Sequence, residues 1–298
     1  MDERRPVVAT IGAFDGIHRG HHLLLGQVVE RAKCLHLPSL CITFDPHPDL
    51  VLYPERHLSY LTDRAEKERV LRQLGLDYIQ VMEFTHELSM LNPEEFLGLV
   101  SEEHPLAELW VGSDFALGRG RTGTIAALAE LGRTQGFALH VVPPRRSDRE
   151  VISSTFIRSL LAQGNVRQAN HLLGRRYRIS GLVEGGAQRG RTIGFPTANI
   201  KPDSNRALPA DGVYAAVVEL EGVAHRAVAN LGSRPTFKEG ERLLEVHLLD
   251  VSADLYGRIL NVDFVDHLRD TRRFESVDAL REQIVRDAEA ARTVDLAL

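Results

Sequence analysis

Pro6-Val7-Val8-Ala9-Thr10-Ile11, followed by Gly12-Ala13-Phe14-Asp15-Gly16-Ile17-His18-Arg19-Gly20-His21, decides the fold of the first half of this chain. The six-residue apolar run predicts a buried strand. Beyond the glycines, Leu23 to Ala32 carries apolar residues at helical spacing. A strand that ends in a glycine-rich turn and opens a helix presents backbone N–H groups and the positive end of a helix dipole to an anion. Gly12 and Gly16 let backbone approach a phosphate, and Gly20 allows close packing at the helix start. His18 and His21 are three residues apart, so both project to one side of that helix. The dipole contributes only about 0.3–1 kcal/mol, against roughly 8–23 kcal/mol for a typical enzymatic acceleration. Imidazoles, arginines and a metal ion must therefore supply most of any catalysis. Taken alone, a His-x-x-His pair reads as surface or as a satisfied core pair, and a zinc pair has no evident third ligand.

Outward from this stretch the pattern repeats. Leu40–Phe44, Tyr78–Val81, Glu108–Val111 and Ala138–Val142 read as strands, with helical patterns at Glu94–Val100 and Ile125–Gly136. Strands alternating with helices predict a Rossmann-like α/β domain with a parallel sheet. After a helical stretch from Thr155 to Leu173, Gly174 marks a helix stop. From Tyr177 on, short runs bounded by glycine follow one another without helices: Tyr177–Val183, Gly212–Leu220, Ala224–Asn230, Leu243–Asp250 and Ile259–Val265. They predict a small antiparallel β-barrel. A terminal helix over Ser276–Ala291 carries Val277, Leu280, Ile284, Val285 and Ala288 in one stripe. The expected domains are 1–174 and 175–298.

The bulk numbers fit two soluble domains. The chain has 298 residues, 43% hydrophobic and 26% charged, with a formal net charge of -5. An acidic balance argues against a nucleic-acid binder. Nucleotide binding then requires local positive charge, for which Arg145-Arg146, Arg175-Arg176 and Arg189 with Arg191 are candidates. The 2 cysteines, Cys34 and Cys41, form no CxxC pair, which excludes a cysteine zinc site and makes both expected buried, reduced packing residues. The first apolar run is too short for a signal segment or a membrane span. The expected location is cytoplasmic, with no membrane and no nucleic-acid partner. The sequence sets no protein partner and no oligomeric state.

Three further motifs follow in order: Thr43-Phe44-Asp45-Pro46-His47-Pro48, Gly112-Ser113-Asp114-Phe115 and Ile152-Ser153-Ser154-Thr155-Phe156-Ile157-Arg158. The first two end expected parallel strands, where ligands of such sheets gather. The third opens a helix, and its hydroxyls suit a cap or a phosphate. With GxFDGxHxGH they closely resemble the adenylyltransferase domain of prokaryotic bifunctional riboflavin kinase/FAD synthetases, over most of residues 7–160. The resemblance implies that this half joins AMP from ATP to FMN, giving FAD and pyrophosphate. It assigns His18 and His21 to pyrophosphate departure. It assigns Gly12, Phe14, Asp15, Gly16, Gly20, Asp114, Ser154, Thr155 and Arg158 to ATP or its phosphates, and Phe44, Pro46, His47 and Pro48 to flavin. Thr124 departs from the family by occupying a usually acidic position.

In the second half, Gly190-Arg191-Thr192-Ile193-Gly194-Phe195-Pro196-Thr197-Ala198-Asn199 offers glycines that can wrap phosphate. Thr197 and Asn199 are two apart and share a face if extended. Neutral oxygens beside ATP phosphates suit Mg²⁺. Read alone, Pro-Thr-Ala-Asn is a plain turn, and Glu245 among apolar neighbours is a paired or solvent-facing strand residue. In order come Asp211-Gly212-Val213-Tyr214, Asn230-Leu231-Gly232 with Arg234-Pro235-Thr236-Phe237, Glu245-Val246-His247 and Asp254-Leu255-Tyr256-Gly257. With these the half looks like a riboflavin kinase domain over roughly residues 175–290. The resemblance implies phosphorylation of riboflavin to FMN, with Glu245 as catalytic base, Thr197 and Asn199 as metal ligands, Gly190 and Gly194 at the phosphates and Asn230 at the flavin. Gly185 and Gln188 depart from the family's usual histidine and glycine. Two other readings are one working site only, and a flavin- or nucleotide-binding regulator without catalysis. The latter has no need of His18, His21 and Glu245 together.

Overall fold

A computed structural model describes residues 5–147, 150–185, 194–233, 242–251 and 253–297. Packing divides the chain into Met1–Ser154 and Thr155–Leu298.

The first unit runs β1 (Val7–Ile11), α1 (Arg19–Leu35), β2 (Ser39–Asp45), α2 (Pro48–Leu52), α3 (Arg64–Gln73), β3 (Tyr78–Glu83), α4 (His86–Met90), α5 (Pro93–Glu103), β4 (Leu106–Gly112), α6 (Ile125–Gln135), β5 (Ala138–Val142), β6 (Arg146–Ser147) and β7 (Glu150–Val151). The main sheet is parallel, in the order β3-β2-β1-β4-β5. The chain therefore reverses its direction of winding at β1, which has β2 on one side and β4 on the other. That is the switch point where open α/β sheets bind ligands. The sheet is apolar on both faces, as a sheet covered by helices must be. Val7, Ala9, Ile11, Leu40 and Ile42 pack with Phe96, Leu97 and Leu128, whereas Val8 and Cys41 pack with Leu25, Val28 and Leu71. Arg31 of α1 grips the buried Glu108 of β4 through Nε and Nη2 at 3.0 and 2.8 Å, which fixes the helix that carries the histidines.

The second unit contains most of α7 (Ser154–Ala162), then α8 (Val166–Leu173), β8 (Tyr177–Glu184), β9 (Ala198–Ile200), β10 (Gly212–Leu220), β11 (Val223–Ser233), β12 (Arg242–Leu248), β13 (Ile259–Arg269) and α9 (Val277–Thr293). Six antiparallel strands close a barrel in the order β10-β11-β12-β9-β8-β13. One of the six, β9, is only three residues long and begins within the Pro-Thr-Ala-Asn segment. Cross-strand partners face the same side of a sheet. Tyr214, Ala229, Val246 and Ala198 form one rung, filling the interior. Val213, Ala215 and Val217 face outward, where Ala288 and Ala291 of α9 cover them.

Two local expectations are corrected. Val277 and Val285 of the terminal stripe are exposed, and α9 buries Asp287, Ala288 and Ala291 instead. Asp287 is tolerated there because Arg269 pairs with it at 2.8 Å. Cys34 is exposed, while Cys41 is buried as expected. By packing, α8 lies in the unit that holds the barrel. Asn170, 3% exposed, donates to the Phe264 carbonyl of β13 at 2.8 Å and accepts from the Tyr177 N–H at 2.7 Å. Gly174 ends α8 in the left-handed region, donating to Asn170.

Candidate active sites

The carboxyl ends of β1, β2 and β4 carry three of the sequence motifs. After β1, the turn adopts a conformation that side chains resist. Phe14 has φ +46° and Ile17 φ +37°, beside Gly16 at φ +80°. Each bulky residue in that region costs about 1–3 kcal/mol, so the surroundings must hold the turn. Asp15, 2% exposed, does much of this. Its carboxylate accepts from the Leu61 N–H at 3.0 Å and the Thr62 N–H at 3.2 Å. Gly16 N–H donates to Thr62 Oγ1 at 3.1 Å, and Ser154 Oγ donates to the Asp15 carbonyl at 2.8 Å. The sequence reading set Asp15 among the phosphate groups, but its carboxylate is occupied in bracing the turn.

His18 caps α1, its Nδ1 accepting from the His21 N–H at 3.3 Å. In neutral His18 the ring proton therefore sits on Nε2. The two imidazoles stack with centroids 3.7 Å apart, and Phe14 meets His21 edge-on at 5.2 Å. Gly20 makes room for this arrangement, since a Cβ there would stand 3.0 Å from the His18 ring. Gly12 does the same for the Phe14 ring, again at 3.0 Å. His21 Nδ1 is sealed from solvent and has no hydrogen-bond partner among the described residues. Burial, then His18, His22 and Lys67, hold its pKa well below the ordinary histidine value. An imidazole pair at a helix start, with burial holding His21 neutral, is suited to receive an anion, whose charge favours protonation.

The remaining predicted residues of this half fall as follows. Phe44 packs in the core against Phe84, with ring centroids 5.3 Å apart. Pro46 follows a cis peptide bond, and Pro48 opens α2. His47 caps that helix through Nδ1, accepting from Asp49 N–H at 3.1 Å, and its own N–H donates to Tyr60 Oη at 3.1 Å. Asp114 is exposed after β4, and Arg121 donates to its carbonyl at 2.9 Å. Thr124 caps α6, a task that needs a side-chain oxygen but no charge. Thr155 and Arg158 lie on α7, in the second unit. Sequence reasoning missed Thr62 and Lys67 and gave Thr43 no role within its motif, yet all three hold the turn from other elements. Lys67 sits in a helix so polar that it reads as solvated.

In the barrel, the register aligns Asn230 with Glu245, Glu245 with Asn199, and Asn199 with Glu184. Val213 extends this row and faces α9, so the polar row lies on the outer face. Asn230 Nδ2 donates to Glu245 Oε2 at 3.2 Å. Glu245 is half-buried and Asn199 is 6% exposed. Thr197, Pro196, Val183, Val246, Leu255 and Tyr256 line a cavity of ≈ 400 Å³. Asp254 and the hydroxyl-bearing Thr197 and Tyr256 stand among its apolar walls. Gly194 is exposed with φ +89°, whereas Gly190 and Gln188 lie outside the described residues, as do Arg234 to Phe237. Gly185 is exposed just after β8. Among the described residues no three His, Cys, Asp or Glu side chains converge to hold a metal ion. Two neutral oxygens near a carboxylate fit instead an ion brought with ATP phosphates, such as magnesium, which keeps few protein ligands.

A family model described as FAD synthetase matches residues 1–156, and one described as riboflavin kinase matches residues 173–294. The bifunctional riboflavin kinase/FMN adenylyltransferase of Escherichia coli (strain K12) is 39% identical over 289 residues, spanning 96% of this chain and 91% of its own length. The enzyme of the same description from Pseudomonas fluorescens is 38% identical, spanning 98% and 94%. A crystal structure described as a macrolide-efflux protein from Streptococcus pneumoniae superposes with a TM-score of 0.88 at 32% identity, covering 97% of this chain and 95% of that one. Among the described residues no helix is long and apolar enough to cross a membrane.

Proposed function

Because this chain belongs to the bifunctional riboflavin kinase/FMN adenylyltransferase family, and so converts riboflavin to FMN and FMN to FAD, we propose that the two reactions divide between residues 175–298 and 1–174. The stacked His18–His21 pair beside a strained turn carries the reading of the first unit. An oxygen of the FMN phosphate attacks the α-phosphorus of ATP, and the bond to the β-phosphate breaks. His18 Nε2–H and His21 receive the departing pyrophosphate. The backbone of Gly12, Phe14, Gly16 and Gly20 shapes its seat, with Asp15 bracing that backbone. Asp114, Ser154, Thr155 and Arg158 bind the nucleotide, and the segment Phe44-Pro46-His47-Pro48 borders the flavin.

In the barrel, Glu245 accepts the proton of the ribityl 5′-hydroxyl as its oxygen bonds to the γ-phosphorus and ADP leaves. General base catalysis supplies about 10²–10⁴-fold. The Asn230 amide at 3.2 Å orients the carboxylate and sits at the flavin side. Thr197 and Asn199 would hold Mg²⁺, which when bound would neutralise charge on the phosphates, and Gly190 and Gly194 wrap them. We place the enzyme in the cytoplasm, with ATP, riboflavin and FMN as its small-molecule partners and no nucleic acid. Purified protein given riboflavin, ATP and Mg²⁺ should form FMN with ADP, then FAD with pyrophosphate, and chelation of the metal should stop FMN formation. FMN without FAD would defeat the two-site assignment.

A further inference from the structure

Lys67 belongs to none of the sequence motifs, yet it is only 5% exposed. Its Nζ donates to the carbonyl of Ala13 at 3.0 Å and to that of Phe44 at 3.3 Å. These oxygens follow β1 and lie near the end of β2, so one side chain ties both strand ends. Thr43 Oγ1 donates to the same Ala13 oxygen at 3.1 Å. Two donors from different elements thus converge on a single peptide group inside the phosphate turn.

The next atom in the chain shows the consequence. In a planar trans peptide the carbonyl and the following N–H point in opposite directions. Drawing the Ala13 oxygen toward α3 and β2 therefore turns the Phe14 N–H away from them. That N–H finds no acceptor among the described residues. Phe14 is also one of the two bulky residues held at positive φ, a conformation that persists only where neighbours over-determine it.

We propose that Lys67 is a positioning residue for adenylyl transfer, clamping the Ala13 carbonyl so that the Phe14 N–H faces the phosphates of ATP. The proposal rests on the reading that this turn receives those phosphates. Burial pulls the Lys67 pKa down while Asp15 and Asp45 oppose it. Either form of the amine keeps the two N–H bonds that the clamp uses. The ammonium also adds to the forces that keep His21 neutral.

The full-length Lys67→Met, Thr43→Val and double variants test this, with FAD formation from FMN measured at saturating ATP. Circular dichroism and a thermal melt of the same sample, set against wild type, report whether the first unit is folded. Lys67→Met should lower kcat for FAD formation about 10²-fold, the scale of a misplaced reacting group, with KM for FMN within twofold. Thr43→Val removes only the second donor and should lower kcat about 3–10-fold, as for one hydrogen bond. Because both act on one oxygen, the double variant should lose clearly less than the product of the two losses and stay close to Lys67→Met alone. If Lys67→Met fails to fold, Thr43→Val with an unchanged kcat overturns the clamp. So does a folded Lys67→Met within threefold of wild type, or losses that multiply in the double variant. Wild-type protein that makes no FAD overturns the reading of the turn and the clamp together, whereas active wild type beside an equally active variant overturns the clamp alone.

Discussion

The turn after β1 and the outer row of the barrel are built by opposite means. The turn is irregular backbone, braced from 46 residues away by Leu61 and from 139 away by Ser154. The barrel row is regular β-ladder, in which Asn230, Glu245 and Asn199 fall side by side through register alone. Backbone donors can be aimed at a phosphate only if the chain is bent and held. A carboxylate base needs only a rigid strand and a neighbour to orient it. Damage should therefore spread differently from the two sites.

The largest effect should come from the row. Glu245→Gln keeps its shape but removes the proton acceptor, and should slow riboflavin phosphorylation about 10²–10⁴-fold, with FAD formation from added FMN unchanged. Steady-state assays of the two half-reactions measure this directly. On the other side of the comparison, His21→Ala should lower FAD formation about 10²–10³-fold, the scale for removing one anion-stabilising donor. FMN formation in that variant should hold at the wild-type rate.

A smaller effect sharpens where the barrel unit begins. Asn170→Ala leaves the Phe264 carbonyl and the Tyr177 N–H without their partner, which should destabilise that unit by about 1–3 kcal/mol. FMN formation should become more heat-labile while FAD formation from FMN keeps its thermal midpoint. Equal loss in both would place α8 outside the barrel's cooperative unit.

The smallest is a pH effect confined to the first unit. Burial foremost keeps folded His21 neutral, but unfolded His21 takes up a proton near pH ~6.5. Below that pH the unfolded state binds more protons, so stability falls as pH falls, until the depressed folded pKa is reached. For one group the slope is at most about 1.4 kcal/mol per pH unit. Denaturant titrations at pH 7.5 and 5.5 should show this slope in the wild type and a shallower one in His21→Gln.

The two sites were unequally legible in the sequence. A bent turn needs particular residues at consecutive positions, so Gly12 to His21 reads as one contiguous signal. The braces do not, because Thr62 and Lys67 are ordinary residues until the fold brings them beneath the turn. In the barrel, Asn199, Asn230 and Glu245 lie on three strands, and alternation alone makes each a plain outward-facing position. Only likeness to a known domain singled them out. The strands themselves were read closely, apart from β6, β7 and β9, which are too short to show a period. Val277 misled because helical spacing gives a stripe but not how far along the helix the barrel covers it.

Division of labour between the two regions is the central claim, and mixing tests it most directly. With riboflavin, ATP and Mg²⁺, Glu245→Gln alone should yield little FMN or FAD, and His21→Ala alone should yield FMN and stop. An equimolar mixture of the two should accumulate FAD, as FMN made by one variant is used by the other. No FAD from the mixture, with both proteins folded, would contradict the account.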